Sequence, residues 1–273
     1  DHHERTIASE GYRSMLETRQ NLPIFGLRDE LLGKLERSDV VVLTGETGCG
    51  KTTQVPQYIL EHLLSTGSGS RCRIVCTQPR RIAAVSVAER VASERAERSP
   101  GQNNSLIGYH VRLDPKYSNS TRLLFCTTGI LLRRLQGDPT LAAFSHVVVD
   151  EVHERTMQGD FLLIILKRLM KERRAWFEEG KPGYPGPLKV VLMSATVDAD
   201  KFAHYFGDCP TLFAPGRTFP VEEHYLEEIY EILQYNLSPD NPACLRGSSK
   251  HSKQHQTMVY YLCFIPIELV DAA

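Results

Sequence analysis

Short apolar runs, each bounded by residues typical of turns, recur along the first two thirds of the chain. They are rich in β-branched residues and do not alternate between apolar and polar positions. This pattern is typical of strands that are buried on both faces of a parallel sheet. The runs are VVVL (40–43), RIVC (73–76), LLFC (123–126), HVVV (146–149) and KVVLM (189–193).

Segments with helical character lie between these runs. Alternation of strand and helix predicts an α/β fold, with a mostly parallel sheet, helices on both faces and right-handed crossovers. Pro56 falls in the second turn of the first of these helices, where we expect it to cause a kink. The predicted helices cover 53–64, 81–98, 130–135, 156–174 and 199–206.

Composition limits the class of protein. Of 273 residues, 41% are apolar, and no apolar run approaches the ~20 residues of a membrane helix. A net charge of −1 excludes a uniformly basic nucleic-acid binder but is compatible with a local basic face. Seven cysteines without a CxxC pair favour buried, reduced thiols over disulfides or zinc. We therefore expect an intracellular protein, of cytoplasm or nucleus, with no membrane partner.

The pattern divides the chain into four parts. Residues 1–21 are predicted to be a helical or flexible segment, and 22–212 hold the strand and helix alternation. The alternation weakens over 213–245, and 246–273 are predicted to be a poorly ordered tail. Because the sequence begins with aspartate rather than methionine, we expect a fragment of a longer protein.

A glycine-rich turn follows the first apolar run directly, and its sequence GETGCGKT fits the pattern G-x-x-x-x-G-K-[ST] at every position. Glycines let the backbone wrap closely around phosphates, and the helix that follows points the positive end of its dipole at them. We predict an ATP site in which Lys51 binds the β- and γ-phosphates and the Thr52 hydroxyl ligates Mg²⁺; a chance glycine-rich turn is the alternative. The predicted cofactor-binding residues are Gly45, Glu46, Thr47, Gly48, Cys49, Gly50, Lys51, Thr52 and Thr53.

Two adjacent carboxylates, Asp150 and Glu151, end the HVVV run. Burying such a pair is costly unless a cation or a reaction uses it. We predict that Asp150 and Glu151 hold Mg²⁺, and that Glu151 polarises the attacking water as a catalytic group. Taken alone, the pair is equally compatible with an ordinary solvated strand end.

Hydroxyl and basic side chains follow two other predicted strands. Thr77, Arg80 and Arg81 come after RIVC, and Thr127 comes after LLFC. Arginines and hydroxyls at the ligand-binding edge of a sheet suit a phosphodiester backbone. The alternative for the arginines is an interaction with helix acids such as Glu89.

Several ordered motifs resemble the DEAH/DExH-box helicases of superfamily 2, and in particular the RNA helicase A-like branch. They are GETGCGKTTQVPQYIL from residue 45, TQPRR (77–81), TTG (127–129), DEVH (150–153) and SAT (194–196), and the likeness extends from about Leu22 to Tyr225. The resemblance implies a RecA-like P-loop NTPase domain that uses ATP and Mg²⁺ and binds RNA, single-stranded or as a duplex with an overhang. It also implies that the KVVLM strand lies between the phosphate-loop strand and the Asp150 strand.

The resemblance assigns further roles. It implies nucleic-acid contacts at Thr77, Arg80, Arg81 and Thr127, and a catalytic linking role for His153, where a satisfied structural histidine is the alternative. Ser194 and Thr196 would couple the state of the γ-phosphate to the rest of the protein, unless they are ordinary strand-end hydroxyls. Arg90 would stack on adenine; a surface ion pair with Glu94 is equally compatible with the sequence.

Helicases of this type clasp ATP between two RecA-like domains, and the second domain supplies arginine fingers in a QRxGRxGR motif. The 273 residues of this chain do not contain that motif, and residues 213–245 resemble the segment that leads into such a second domain. The sequence therefore predicts the first motor domain of an ATP-dependent RNA helicase, weak or inactive in hydrolysis by itself. The alternatives are a nucleic-acid- and ATP-binding fragment without turnover, and a DNA-directed motor of the same superfamily.

Overall fold

The structure is a computed structural model that describes residues 9–69, 72–102, 104–183, 186–195, 199–216 and 222–234. The chain forms two compact units, 1–218 and 219–273. In the second unit, the described residues include one amphipathic helix, Leu226–Leu233. Among the described helices we find none with both the length and the apolarity required to cross a bilayer.

The first unit is built around an eight-stranded sheet with the order β4-β3-β5-β2-β6-β7-β1-β8. All neighbouring strands are parallel except the edge pair β3 and β4. The predicted α/β class and mostly parallel sheet are confirmed, and β7 lies between β1 and β6 as the resemblance implied. The strands are β1 (Val40–Gly45), β2 (Ile74–Gln78), β3 (Ile107–Val111), β4 (Asp114–Lys116), β5 (Leu123–Thr127), β6 (His146–Val149), β7 (Lys189–Ser194) and β8 (Thr211–Ala214).

Helices cover both faces of the sheet. Two apolar clusters lie on opposite faces because successive strand residues point to opposite sides, as Val41 and Val42 do on β1. Short 3-10 turns occupy Pro23–Leu27 and Val152–Glu154. The helices described in the first unit are α1 (Glu10–Gln20), α2 (Arg28–Arg37), α3 (Lys51–Ser65), α4 (Arg81–Glu94), α5 (Thr128–Gly137), α6 (Met157–Glu178) and α7 (Ala199–Tyr205), and the helix of the second unit is α8 (Leu226–Leu233).

Helix α3 runs continuously through Pro56, where the sequence predicts a kink. The proline has no N–H to donate to the carbonyl of Thr52, so one backbone hydrogen bond is absent. Its neighbours Val55, Tyr58 and Ile59 are buried in the apolar cluster on this face of the sheet. Tertiary packing of this turn therefore maintains the helix across the proline.

Helix α1 is joined to α3 by buried polar contacts. The guanidinium of Arg19, which is 2% exposed, donates to Gln54 Oε1 at 2.8 Å and pairs with Glu61 at 2.9 Å. Arg95, at the end of α4, reaches the same Glu61 carboxylate at 3.1 Å. Residues 9–20 thus hold the helix that carries Lys51. The domain boundaries drawn from the sequence at residues 22, 213 and 246 remain predictions, and the predicted tail lies outside the described residues.

Candidate active site

The glycine-rich turn connects β1 to α3 at the carboxyl edge of the sheet. Gly50 has φ 99° and precedes the first helical residue, a conformation that residues with a side chain rarely adopt. Gly45 lies against β8, where an added Cβ atom would approach the carbonyl oxygen of Ala214 to 2.5 Å. These two positions require glycine, and together they bend the loop over the N-terminus of α3.

Lys51 is the first residue of α3, and its side chain is buried under the loop. Its ammonium donates to the carbonyl oxygens of Gly45 and Glu46 and lies 3.6 Å from Cys49 Sγ. The helix N-terminus and the ammonium place positive potential at the same point. The loop therefore offers an anion a site with both a fixed charge and free backbone N–H groups.

Asp150 follows β6 and is fixed from several sides. One carboxylate oxygen accepts from Gln78 Nε2 at 2.7 Å, and the other accepts from the backbone N–H of Glu151 at 2.9 Å. The Thr52 hydroxyl also donates to this carboxylate. Burial raises the pKa of Asp150, while the hydrogen bonds from Thr52 and Gln78 and the charge of Lys51 oppose the rise. The contact with Thr52 joins the acidic pair to the phosphate loop.

Glu151 has a left-handed backbone, with φ 54° and ψ 39°, so the chain turns sharply as soon as the strand has ended. Burial raises the pKa of Glu151, and the charge of Asp150 raises it further. Its carboxylate lies 3.3 Å from Nδ1 of His153. The same Nδ1 accepts from the backbone N–H of Ala195 at 3.2 Å, directly after β7. His153 therefore lies between Glu151 and the end of the neighbouring strand.

The phosphate loop and Glu151 line one pocket of about 310 Å³, and Asp150 lies behind its wall in contact with Thr52. This is the arrangement that the sequence hypothesis requires, because Lys51 and Glu151 must face the same ligand. The lining residues are Leu22, Thr47, Gly48, Gly50, Lys51, Thr52, Thr53, Arg90, Glu94, Glu151 and Ala195.

The oxygen atoms at this point of the pocket fit a hard divalent cation. Thr52 offers a hydroxyl, and Asp150 and Glu151 offer carboxylates, which are the donor types that Mg²⁺ prefers. Asp150 is only 5% exposed and has no cationic partner at ion-pair distance among the described residues. A bound cation would balance this buried charge.

Both interpretations of Arg90 agree with the structure. Its Nε donates to Glu94 at 2.8 Å, four residues further along α4, and the side chain is 57% exposed at the mouth of the pocket. The amides of Gln54 and Gln57 hold the other oxygen of Glu94 at 2.8 Å each. The ion pair thus holds Arg90 in the lining of the pocket.

A second and larger depression, about 980 Å³, lies at the carboxyl edge beside β2, β3 and β5. We call it the edge groove. The structure brings Arg81 and Thr127 together in its wall, whereas Arg80 lies outside the lining and pairs with Glu154 at 3.3 Å. Thr77 is fully buried and its hydroxyl has no partner among the described residues, so its side chain offers no surface to a nucleic acid.

Most of the groove was not identified from the sequence. Its walls include four arginines, and no acidic residue contributes to the described lining. The adjacent pair Arg133 and Arg134 was a usable signal, since it lies on a predicted helix, but Arg112 follows a strand that the sequence did not reveal. The lining residues are Pro79, Arg81, His110, Arg112, Leu113, Tyr117, Thr127, Gly129, Ile130, Arg133, Arg134 and Gln158.

The predicted coupling residues end β7. Ser194 is completely buried there, and Thr196 lies outside the described residues. The contact in this region comes instead from Ala195, through its N–H to His153. Gln78 was also missed, although it lies within the TQPRR motif, because its partner Asp150 is distant in sequence.

Comparisons with known proteins agree with this geometry. A family model described as DEAD/DEAH box helicase matches residues 29–203. The chain is 54% identical to DExH-box ATP-dependent RNA helicase DExH4, chloroplastic, of Arabidopsis thaliana, over 87% of its own length and 16% of that protein. It is 52% identical to ATP-dependent RNA helicase DHX29 of Mus musculus, over 85% of this chain and 16% of that protein.

A third relative, ATP-dependent DNA/RNA helicase DHX36 of Bos taurus, is 50% identical over 82% of this chain and 21% of that protein. The chain thus spans about a fifth of the length of these curated relatives. The phosphate loop and Glu151 share one pocket, and a family model matches most of the first unit: this chain belongs to the DEAD/DEAH box helicase family.

Proposed function

We propose that this chain is the first motor domain of an ATP-dependent RNA helicase of the DExH type. The observation that carries the proposal is the shared pocket, in which Lys51 and Thr52 of one strand end face Glu151 of another. An arginine-lined groove at the same edge of the sheet supports a nucleic-acid substrate. Both features lie where open α/β sheets bind ligands.

In this proposal the loop binds the phosphates of ATP through its backbone N–H groups, and the Lys51 ammonium donates to the β- and γ-phosphate oxygens. Thr52, Asp150 and Glu151 would hold Mg²⁺, which neutralises charge on the β- and γ-phosphates when bound. The Glu151 carboxylate accepts a proton from a water molecule as the water oxygen forms a bond to the γ-phosphorus. The bond from that phosphorus to the β–γ bridging oxygen breaks, and the products are ADP and phosphate.

Two series of residues lead away from the nucleotide site, one toward the edge groove and one toward the end of β7. Gln78 holds Asp150, and three residues later Arg81 lies in the groove wall and donates to the carbonyl oxygen of Arg112 at 3.0 Å. The second series runs from Glu151 through His153 to the end of β7. We propose that nucleotide state reaches the bound strand through the segment from Gln78 to Arg81.

We also propose that a second RecA-like domain completes the site in the whole protein. A transition-state arginine is worth roughly 10³–10⁵ in the rate of phosphoryl transfer. Arg90 lies on the open side of the pocket, where a facing domain has access. The chain by itself should therefore bind nucleotide and hydrolyse it slowly.

A DNA-directed motor is the second candidate, because one relative is named a DNA/RNA helicase. Contacts to a phosphodiester backbone carry little information about the sugar, and a contact to the 2′-hydroxyl is what separates the two. The choice between them is therefore a matter of measurement on matched RNA and DNA strands.

Binding of a fluorescent ATP analogue with Mg²⁺ tests the nucleotide site. Lys51→Ala should weaken binding roughly 10-fold or more, since a hydrogen bond to a charged group contributes about 1.5–3 kcal/mol. Lys171→Ala is the matched control, because Lys171 is exposed on α6, away from the pocket. Wild-type affinity in Lys51→Ala would contradict the proposal.

Turnover tests the chemistry. Glu151→Gln should retain binding of the analogue and abolish whatever ATP hydrolysis the wild-type chain shows. Single-stranded RNA should stimulate that hydrolysis more than DNA of the same sequence. Stimulation by DNA alone would replace the RNA assignment with the DNA-directed alternative.

A further inference from the structure

A third depression, about 280 Å³, lies at the opposite end of the sheet from the edge groove. We call it the amino-edge pocket, because its walls come from the starts of strands. Arg73 precedes β2, Arg122 precedes β5, and Phe144 comes shortly before β6. The loop 117–122 closes one side. The proposed nucleotide chemistry does not use this pocket.

The amino-edge pocket and the edge groove adjoin each other. Tyr117 and Arg134 line both of them. This sharing follows from topology: α5 begins at the carboxyl edge after β5 and runs back toward the amino edge, and antiparallel β4 runs back beside β3. The two depressions therefore follow one another along α5, and we call this succession the path.

The path carries positive charge without local compensation. No acidic residue lines either depression in the described chain, although the sequence holds 33 Asp and Glu residues. Arg73, Arg122 and Arg134 have no carboxylate at ion-pair distance among the described residues. By contrast Arg80, Arg155 and Arg174 on other parts of the surface each have one.

The contacts that these arginines do make leave their charge available. Arg122 donates to the carbonyl oxygens of Asn119 and Thr121, and the guanidinium of Arg134 lies over the ring of Phe144 at 5.0 Å. Both contacts fix the side chains without neutralising them. Consistently, burial lowers the pKa of His110 in the groove, and the charges of Arg134 and Arg133 lower it further.

This chemistry suits a single strand of nucleic acid. Guanidinium groups match phosphate geometry, and aromatic faces accept bases of any sequence. Tyr117 provides such a face where the two depressions meet, with its ring 5.5 Å from that of His110. The wall shared with the edge groove favours a strand over an acidic peptide, since one extended ligand can then occupy both depressions.

We propose that a single strand of RNA seated in the edge groove continues past Tyr117 and Arg134 into the amino-edge pocket, where Arg73 and Arg122 bind its phosphates. This inference rests on the proposed function. The path is about as long as β5, whose five residues span about 17 Å. At about 3.4 Å per stacked nucleotide, the whole path holds up to about five nucleotides, and the pocket accounts for the last of them.

The test is a length series of oligouridine strands, measured by fluorescence anisotropy on the chain and on the double variant Arg73→Gln, Arg122→Gln. Affinity of the wild type should rise with length until the pocket is filled. The variant should lose the last part of that rise, whereas its affinity for the shortest strands stays unchanged. At the longest strands, the slope of log K against log salt should fall in magnitude by about 1.4, since each single-strand phosphate contact contributes about 0.7.

Two control variants accompany the series. Arg13→Gln, Arg168→Gln removes the same charge from exposed arginines on α1 and α6 and should leave the length dependence intact. Arg73→Lys, Arg122→Lys retains the charge and should keep most of the salt slope. Thermal unfolding of each variant verifies that it is folded.

The outcomes separate the two proposals. If the wild type binds no RNA of any length, the RNA assignment in the proposed function fails, and this inference fails with it. If the wild type binds RNA but Arg73→Gln, Arg122→Gln matches it at every length, only the extended path is refuted. If the double variant instead loses affinity for polyglutamate and keeps its affinity for RNA, the pocket binds an acidic peptide and the inference is wrong.

Discussion

The hydrogen bond from Gln78 to Asp150 makes the sharpest prediction about the nucleotide pocket. The two side chains are 2% and 5% exposed, and Nε2 lies 2.7 Å from the carboxylate oxygen. Gln78→Met keeps the length of the side chain and removes the N–H donor. Asp150 would then retain its contacts with Thr52 and the Glu151 N–H, but one carboxylate oxygen would lose its partner inside the protein.

The magnitude follows from the charge and burial of the pair. A hydrogen bond to a charged group contributes about 1.5–3 kcal/mol, and loss of an outer partner of a metal ligand typically costs 10–100-fold in metal affinity. We therefore expect Gln78→Met to weaken the binding of a nucleotide with Mg²⁺ by roughly 10-fold or more. Binding of the same nucleotide in EDTA should change less than about 2-fold, because the phosphate loop is untouched.

The assay is the ratio of nucleotide dissociation constants in Mg²⁺ and in EDTA, measured with a fluorescent analogue. Gln57→Met is the matched control: Gln57 is equally buried and donates to a different carboxylate, that of Glu94, at 2.8 Å. It should lower the thermal unfolding temperature to a similar extent and leave the ratio unchanged. A wild-type ratio in Gln78→Met would refute the role of Gln78 in positioning Asp150.

Three further predictions concern stability and the loop. Burial and the nearby positive charges lower the pKa of His146 from 6.5 to about 4, so the unfolded state binds a proton at this residue before the folded state does as pH falls. The free energy of unfolding should therefore drop by about 2 kcal/mol from pH 7.5 to pH 5 in urea titrations. His146→Asn should remove that part of the pH dependence. Arg19→Met breaks a buried ion pair and should lower the free energy of unfolding by about 3 kcal/mol in the same titrations. The exposed control Arg13→Met should lower it by less than about 0.5 kcal/mol. Equal losses would contradict the role of the buried network. Gly50→Ala places a Cβ atom on a residue with left-handed backbone, 3.0 Å from Ile24 Cγ2. It should destabilise the fold by about 1–2 kcal/mol and weaken nucleotide binding. Gly137→Ala, where a Cβ atom meets open space, should do neither.

The central part of the fold was predictable because its signal is local. Five buried strands appear in the sequence as short β-branched runs, and the structure extends them by no more than two residues at either end. The strands that were missed lie at the edges of the sheet. β3 contains Gly108 and His110, β4 has three residues, and β8 is too short for its alternation of exposed and buried positions to be recognised.

The candidate site was predictable to the extent that each residue's role depends on its own segment. Lys51 and Asp150 were found because a loop and a strand end identify them. Thr77 looked like a surface hydroxyl at a strand end, but the pleat points its side chain into the protein. The roles of Gln78 and Arg112 depend on residues that are distant in sequence, and a single sequence carries no information on those contacts.

The insertion of Arg19 between Gln54 and Glu61 has a practical consequence for recombinant work on this protein. A version that starts at residue 22 would keep every helicase motif, but Gln54 and Glu61 on α3 would lose their contacts with Arg19. Low yield or slow nucleotide binding by such a version would then result from the missing residues and not from the nucleotide site itself. Expression should begin upstream of Ser9, whose side chain caps the helix that delivers this arginine.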